Sequence, residues 1–269
     1  MFQRLVVVLF VSTFIISGCG KKTERETFQT VNKTTSENKT TVKTEEKICV
    51  LPKQTAKEPS NLLDLSPSKR KKAFIAMIVP AVLKANCIIN KERKILLRIK
   101  EKIKNGKTLS EKEKRFLTRM EKKYRTKDID ELLIRVNTLP PSLIIAQAAI
   151  ESGWGTSRFF VEGNNIFGIW TFKKEAEAIK AKGSNARLRK YPSLLLSIED
   201  YYYNINTGWA YRELRKARLK EKNPLKLAKY LRNYSILRDE YVRRLQRVIE
   251  KNNLQQFDNC IYDNCTVKL

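Results

Sequence analysis

At 269 residues, 42% of them hydrophobic, the chain is long enough to bury a sizeable core. Its 55 Lys and Arg against 28 Asp and Glu leave a net charge of +27, a lysine-rich solvated surface that also attracts anionic partners. Histidine is absent, which excludes Ser-His-Asp and Cys-His nucleophile systems and histidine-based zinc sites.

The N-terminus reads as a targeting segment. Arg4 gives a basic start, and residues 5–16 are an apolar run shorter than the roughly 20 residues that span a bilayer. The run ends in Ile16-Ser17-Gly18-Cys19, which resembles the lipobox of bacterial lipoproteins. That resemblance implies a signal peptide over 1–18 and acylation of Cys19. With Gly20 and no Asp after the cysteine, it also implies sorting to the outer membrane, facing the periplasm. An ordinary cleaved signal or a short membrane anchor is the alternative. Residues 19–60 are Lys, Thr, Glu, Asn and Ser with few apolar neighbours, the composition of a disordered tether with a reach of about 35 Å.

Cysteine usage suits an oxidising compartment. With Cys19 taken by lipid, Cys260 and Cys265 would close a small loop and Cys49 would pair with Cys87; free thiols are the alternative. Over 61–138 the spacing predicts an N-terminal helical extension. One helix runs from Ser68 to about Asn105 with a kink at Pro80, and a second opens on a capping box, Ser110 to Glu113. A third is capped by Asp128. Pro140 and Pro141 then suit the first turn of an apolar helix through Ile144, Ile145, Ala148 and Ala149. Further on, Ser193 caps a helix through Leu196, Tyr201 and Ile205. Asn223-Pro224 starts another, and an amphipathic helix runs from Asp239 to about Asn252. A tail, 255–269, follows.

The chemistry centres on Glu151, where the apolar helix breaks into Ser152-Gly153-Trp154-Gly155. With histidine excluded and no Walker A or G-x-G-x-x-G sequence present, a carboxylate hydrolase is the economical enzyme class. A helix C-terminus disfavours negative charge, and Trp154 and Phe167 nearby would desolvate the carboxyl. Both raise its pKa, as a general acid requires. Gln147, one turn earlier, is placed to hold the carboxyl. The bland reading is that Glu151 caps a loop or pairs with Arg158.

The stretches Leu139-Pro140-Pro141-Ser142, Ala146-Gln147-Ala148-Ala149-Ile150-Glu151-Ser152-Gly153-Trp154-Gly155 and Glu162-Gly163-Asn164-Asn165-Ile166-Phe167-Gly168 resemble the bacterial glucosaminidase family. This is the type found in autolysins and the flagellar muramidase, and within it the Bax-type proteins. Further likeness lies in Arg189-Lys190-Tyr191-Pro192-Ser193 and Leu231-Arg232-Asn233-Tyr234-Ser235. The resemblance implies an α+β, mostly helical, lysozyme-like catalytic domain over 139–254, with a small β-hairpin lobe and a glycan groove. Residues 166–171 and 187–191 would be the hairpin strands, with 172–186 their connection.

The implied reaction is hydrolysis of the β-1,4 bond of peptidoglycan by an endo-β-N-acetylglucosaminidase without a cofactor or metal, Glu151 being the general acid. Such enzymes pair two carboxylates, about 6.5–9.5 Å apart when inverting and about 5 Å when retaining. Glu175 and Glu177 fall in the expected connection, where the family places its second acid, although both also fit a charged surface helix. Substrate assistance by the 2-acetamido group is the alternative, and Tyr234 sits where the family orients that group. Trp170 and Tyr191 would line the groove with Gln147, Trp154 and Phe167. Asn164 and Asn165 read first as turn formers, then as sugar-binding amides. Trp154, Phe167, Trp170 and Trp209 all suit a core as well.

Glycan strands and outer-membrane lipid are then the expected partners; no nucleic-acid-binding signature is present. The competing readings are a lytic transglycosylase on the same fold and a non-catalytic wall-binding lipoprotein.

Overall fold

In a computed structural model, the protein is described over residues 62–172, 177–181, 185–260, 262 and 264–267. Cys19, Cys49, Glu175 and the lipobox and tether expectations lie outside these. The described chain is mostly helical with one small antiparallel sheet.

Helix α1 (Pro67–Lys104) begins with proline in its first turn and continues unbroken through Pro80. By length and composition it could cross a membrane. Its apolar stripe, including Phe74, Ile78, Val82, Leu96 and Ile99, is instead buried in the protein core. Helix α2 (Glu111–Tyr124) starts with the predicted capping box: Ser110 Oγ accepts from the Glu113 N–H, and Glu113 accepts from the Ser110 N–H. Asp128 caps α3 (Ile129–Arg135) by accepting from the Asp130 and Glu131 amides.

Helix α4 (Pro141–Glu151) is the centre of the fold. Every residue from Pro141 to Ala149 is buried, so its hydrophobicity runs all round rather than along one stripe. Helix α1 packs on one side, and α9 (Asp239–Lys251) and the short turn Leu254–Phe257 on others. Burying a Leu or Ile here is worth about 1.5–3 kcal/mol, and Ile144→Ala would cost about 2–5 kcal/mol.

The core is continuous from Leu62 to Phe257, so the packing has no break at the expected boundary between 138 and 139. The C-terminal residues are likewise no loose tail. Asp258 accepts from both the N–H and the Oγ of Ser142, each at 2.8 Å, satisfying the start of α4. The cysteine pairing differs from the expected one as well. Cys265 is joined to Cys87, 178 positions away. Helix α1 lies beside the returning C-terminus, so Cys265 meets Cys87 rather than its near neighbour Cys260, which is also disulfide-bonded.

The sheet departs from the expected hairpin. Its strands are β1 (Ala178–Lys180) and β2 (Arg187–Arg189), paired antiparallel with Ile179 opposite Leu188. Thus β1 lies inside the segment expected as the connection, and Glu177 precedes a strand rather than sitting on a charged surface helix. Residues 166–168 form a turn, because the Asn165 side chain ties itself to Ile169: its Oδ1 accepts from the Ile169 N–H and its Nδ2 donates to the Ile169 carbonyl, both at 2.9 Å. Only from Ile169 does the chain extend, flanking β2 through a single bridge between Trp170 and Leu188.

Helix α5 (Arg158–Gly163) supports β1. A Cβ on Gly163 would fall 2.9 Å from both Ile179 Cδ1 and Lys190 Cγ, so a larger residue would make these side chains shift. Helix α6 (Leu194–Thr207), capped by Ser193, backs the site. Helices α7 (Arg212–Ala217) and α8 (Pro224–Leu227) then lead to α9. Trp209 is 57% exposed, not core: it begins the short turn after α6 and points away from the packed face.

Candidate active site

Glu151 is the last residue of α4. The turn that follows places Gly153, Trp154 and Gly155 all at positive φ (58, 59 and 78°), a sequence that needs its two glycines. Ser152 stabilises it: its Oγ donates to the Ala148 carbonyl at 2.6 Å and accepts from the Gly155 N–H at 3.0 Å. Gly155 sits directly on α1. Trp154 is half-buried with its ring 5.8 Å from Phe74 in an edge-on contact, and Lys71 lies over its other face.

The Glu151 carboxyl meets one side chain. Tyr241, from α9, donates its hydroxyl proton to Oε1 at 2.7 Å. Gln147 Nε2 donates in turn to the Tyr241 oxygen at 3.1 Å, and Tyr201 from α6 donates to Gln147 Oε1 at 2.5 Å. The direction of this chain is determined by its ends: each phenol has one proton, and the amide has one acceptor. Glu151 Oε2 has no hydrogen-bond partner among the described residues. A proton on the carboxyl therefore resides on Oε2, leaving Oε1 to accept from Tyr241.

Burial pushes the Glu151 carboxyl up to about 7, against the smaller downward pull of the Tyr241 hydrogen bond. The residue still keeps partial solvent access, as a group that must meet a substrate requires. No second carboxylate contributes to this shift among the described residues. The expected partner Arg158 instead approaches Glu162.

Gln147 is fully buried and reaches Glu151 through Tyr241 rather than directly. Tyr234 is buried against Tyr241, with ring centroids 5.6 Å apart and planes at 7°, and its hydroxyl donates to the Phe167 carbonyl at 3.4 Å. It backs the tyrosine that holds Glu151. Phe167, also fully buried, stacks on Tyr201 at 4.2 Å. It is a wall behind the relay and offers no face to a ligand.

Asn164 and Asn165 act as turn formers. Asn164 is left-handed at φ 50° and donates to the Tyr191 carbonyl at 2.9 Å. Asn165, 1% exposed, has its whole amide committed to backbone, including a bond to the Arg189 carbonyl at 2.8 Å. Tyr191 donates to Asp200 at 2.7 Å, and Arg189 pairs with the same carboxylate oxygen at 2.6 Å, pinning the sheet to α6. Of the expected groove residues, Trp154 and Trp170 keep exposed surface. Glu177 is exposed just before β1, where its carbonyl accepts from the Lys190 N–H. No cluster of three metal-ligating side chains stands among the described residues.

In the sequence Tyr241 carries no mark of a site role, and Tyr201 reads only as part of the helix that Ser193 caps. Their signal is a hydroxyl within an otherwise apolar helix face, in α9 beside Val242, Leu245 and Ile249. A buried phenol must find a partner.

Residues 127–254 match the family described as mannosyl-glycoprotein endo-beta-N-acetylglucosaminidase. Protein bax of Escherichia coli (strain K12) is 33% identical over 171 residues, 59% of this chain and 60% of that protein. Exo-glucosaminidase LytG of Bacillus subtilis (strain 168) is 27% identical over 158 residues, 49% of this chain and 56% of that one. The chain thus spans less than two thirds of the length of either relative. Among solved structures, the catalytic domain of the autolysin Auto from Listeria monocytogenes is 26% identical, with a TM-score of 0.39 over 56% of this chain and 90% of its own. The glycoside hydrolase domain of FlgJ from Salmonella typhimurium is 25% identical, with a TM-score of 0.34 over 51% and 95%. Residues 127–254, a little under half of this chain, are thus similar to the glucosaminidase family domain.

Proposed function

We propose that this chain is a peptidoglycan hydrolase, an endo-β-N-acetylglucosaminidase in which Glu151 is the general acid. The observation that carries the reading is the Glu151 carboxyl itself: raised to about 7 by burial, at the end of α4, with Oε2 unengaged. Such a group holds its proton near neutral pH and delivers it to a glycosidic oxygen as the leaving sugar departs. The Tyr241–Gln147–Tyr201 chain orients it. Trp154 and Trp170 offer partly exposed aromatic faces for sugar rings. The positive surface suits an anionic cell-wall polymer.

A single-acid mechanism is the simplest reading of a raised Glu151 carboxyl engaged by Tyr241. The 2-acetamido group of the substrate then supplies the nucleophile, and Tyr234, behind Tyr241, would steady the floor beneath it. Lytic transglycosylase chemistry is the second reading that the same observation supports. Glu177, and Glu175 beside it in sequence, are the candidates for a second acid should water be activated by the protein.

The ends of the products separate these readings. Digestion of purified peptidoglycan should release reducing N-acetylglucosamine ends, and Glu151→Gln should abolish them. Anhydro-muramyl ends would establish the transglycosylase reading, and equal clearing by the Glu151→Gln protein would sink both. Release of single sugars from chain ends from the outset, in the manner of the relative named as an exo-glucosaminidase, would replace endo with exo action.

The lipobox-like Ile16-Ser17-Gly18-Cys19 supports a lipid anchor at Cys19, with the following residues as a tether that lets the domain reach the wall from the outer membrane. Loss of membrane fractionation in Cys19→Ala tests this part.

A further inference from the structure

A second feature lies at the other end of α4, about 15 Å from Glu151 by helix rise. There a cleft of about 720 Å³ opens between α1, the Pro140–Pro141 turn, the end of α7 and the C-terminal residues. Its charge is one-sided. Lys91, Arg93, Lys94, Arg218 and Lys222 line it, and the acids among the described lining residues are Glu221 and Asp258.

Both acids are already engaged. Asp258 holds Ser142 with both oxygens. Glu221 accepts from the Lys222 and Asn223 amides and pairs with Lys226 at 3.4 Å. Of the cations, Lys91 donates to the Cys265 carbonyl and Arg93 to the carbonyls of Leu133 and Val136. Lys94 is exposed with no ion-pair partner among the described residues, and Lys222 gives one proton to the Arg218 carbonyl at 3.0 Å, leaving two.

Arg218 is the second, independent sign of a ligand. It is 1% exposed, and no carboxylate pairs with it among the described residues. Its Nη2 donates to the carbonyls of Ile134 and Arg135 at the end of α3, and Nε and Nη1 have no hydrogen-bond partner among the described residues. A buried guanidinium left this way is a positive charge without local compensation, and such charges are costly unless something answers them. Leu83, Leu97, Leu139 and Leu227 supply an apolar lining beside the cations.

We propose that this cleft is a binding site for a small oxyanion, a phosphate or carboxylate, carried on a short apolar stem. Lys94 and Lys222 at the rim meet the oxyanion, Arg218 in the lining adds its field, and the leucines take the stem. The site does not depend on the chemistry at Glu151.

Calorimetric titration of the full chain with butyl phosphate, butyrate and butylammonium tests this. The expected result is saturable binding of at least one of the two anions and none of butylammonium. Tighter binding of butyl phosphate names the group as phosphate, and tighter binding of butyrate names it as carboxylate; either upholds the site. The double variant Lys94→Glu/Lys222→Glu, both at exposed positions, should weaken binding about tenfold or more. Lys112→Glu/Lys122→Glu on α2 changes the net charge equally and should alter it less than about twofold. Equal weakening in both variants would reduce the effect to the general field of a +27 chain and overturn the site. So would failure of both anions to saturate.

Discussion

The Tyr241 hydroxyl stands 2.7 Å from Glu151 Oε1 while accepting from Gln147 at 3.1 Å, so its single proton is committed to the carboxylate. The same contact pulls the Glu151 pKa down against the larger upward effect of burial. Tyr241→Phe removes the donor, and the pKa must then rise. As the proposed general acid, Glu151 works only while protonated, so kcat/KM should fall as pH climbs through about 7 in the parent protein. In Tyr241→Phe that falling limb should move to higher pH. A pH profile on soluble glycan fragments reads this directly, and a limb that stays put or moves down would refute the assignment of Oε1.

Glu151 should also weaken the fold near neutral pH. Its folded pKa, about 7, lies above the ordinary value of 4.5 that the unfolded chain has. Between these values the folded state holds a proton that the unfolded state has released, so stability falls as pH rises through this window and levels off above it. At pH 8 the loss amounts to about 3 kcal/mol; at pH 4 it is absent. Glu151→Gln should therefore be more stable than the parent at pH 8, equal to it at pH 4, and slower by about 10²–10⁴ in kcat. Urea unfolding at the two pH values checks the first part, and a variant less stable at pH 8 would contradict it.

What the sequence disclosed follows the range of the interactions. Helix caps are local, and Ser110, Asp128, Ser193 and Asn223 all cap where their spacing to the following residues places them. The environment of Glu151 was legible for a similar reason, since the helix end and the glycines after it are adjacent in the chain. Tyr241 lies 90 positions away, and no local pattern marks which buried hydroxyl meets which carboxylate. The Cys87–Cys265 bridge spans 178 positions and reflects the path of the C-terminus past α1. Strand β1 is three residues long, too short for periodicity to register, and the first part of the strand expected over 166–171 is folded into a turn by the Asn165 side chain.

The turn after Glu151 depends on Gly155 for space as well as for backbone angle. At φ +78° a Cβ there would lie 2.5 Å from Leu62 Cδ1 and 3.0 Å from Phe74 Cδ2. Gly155→Ala must displace α1 or unwind the turn, at a cost of about 2–4 kcal/mol from strain and overpacking together. Because the turn carries Trp154 and begins at Glu151, kcat should fall with stability. A variant with parent-like thermal midpoint would show that the contact yields freely, against this account.

Asn165 joins the turn to the sheet through three backbone bonds: one accepted from the Ile169 N–H, and two donated to the carbonyls of Ile169 and Arg189. Asn165→Ala leaves the Ile169 N–H and the Arg189 carbonyl unpaired in a buried site, while the Ile169 carbonyl keeps the Arg189 N–H, which predicts a loss of about 2–4 kcal/mol. Asn165→Asp is the sharper test, because it preserves size and shape. The new carboxylate can still accept from the Ile169 N–H, but it sets negative charge against two carbonyl oxygens 2.8–2.9 Å away and buries that charge. If Asn165 serves the backbone, Asp should be at least as harmful as Ala to the unfolding midpoint at pH 8, and should recover toward the parent at pH 4, where a protonated Asp donates again. If instead it served a sugar hydroxyl, stability would be nearly unchanged in both variants and only KM would rise.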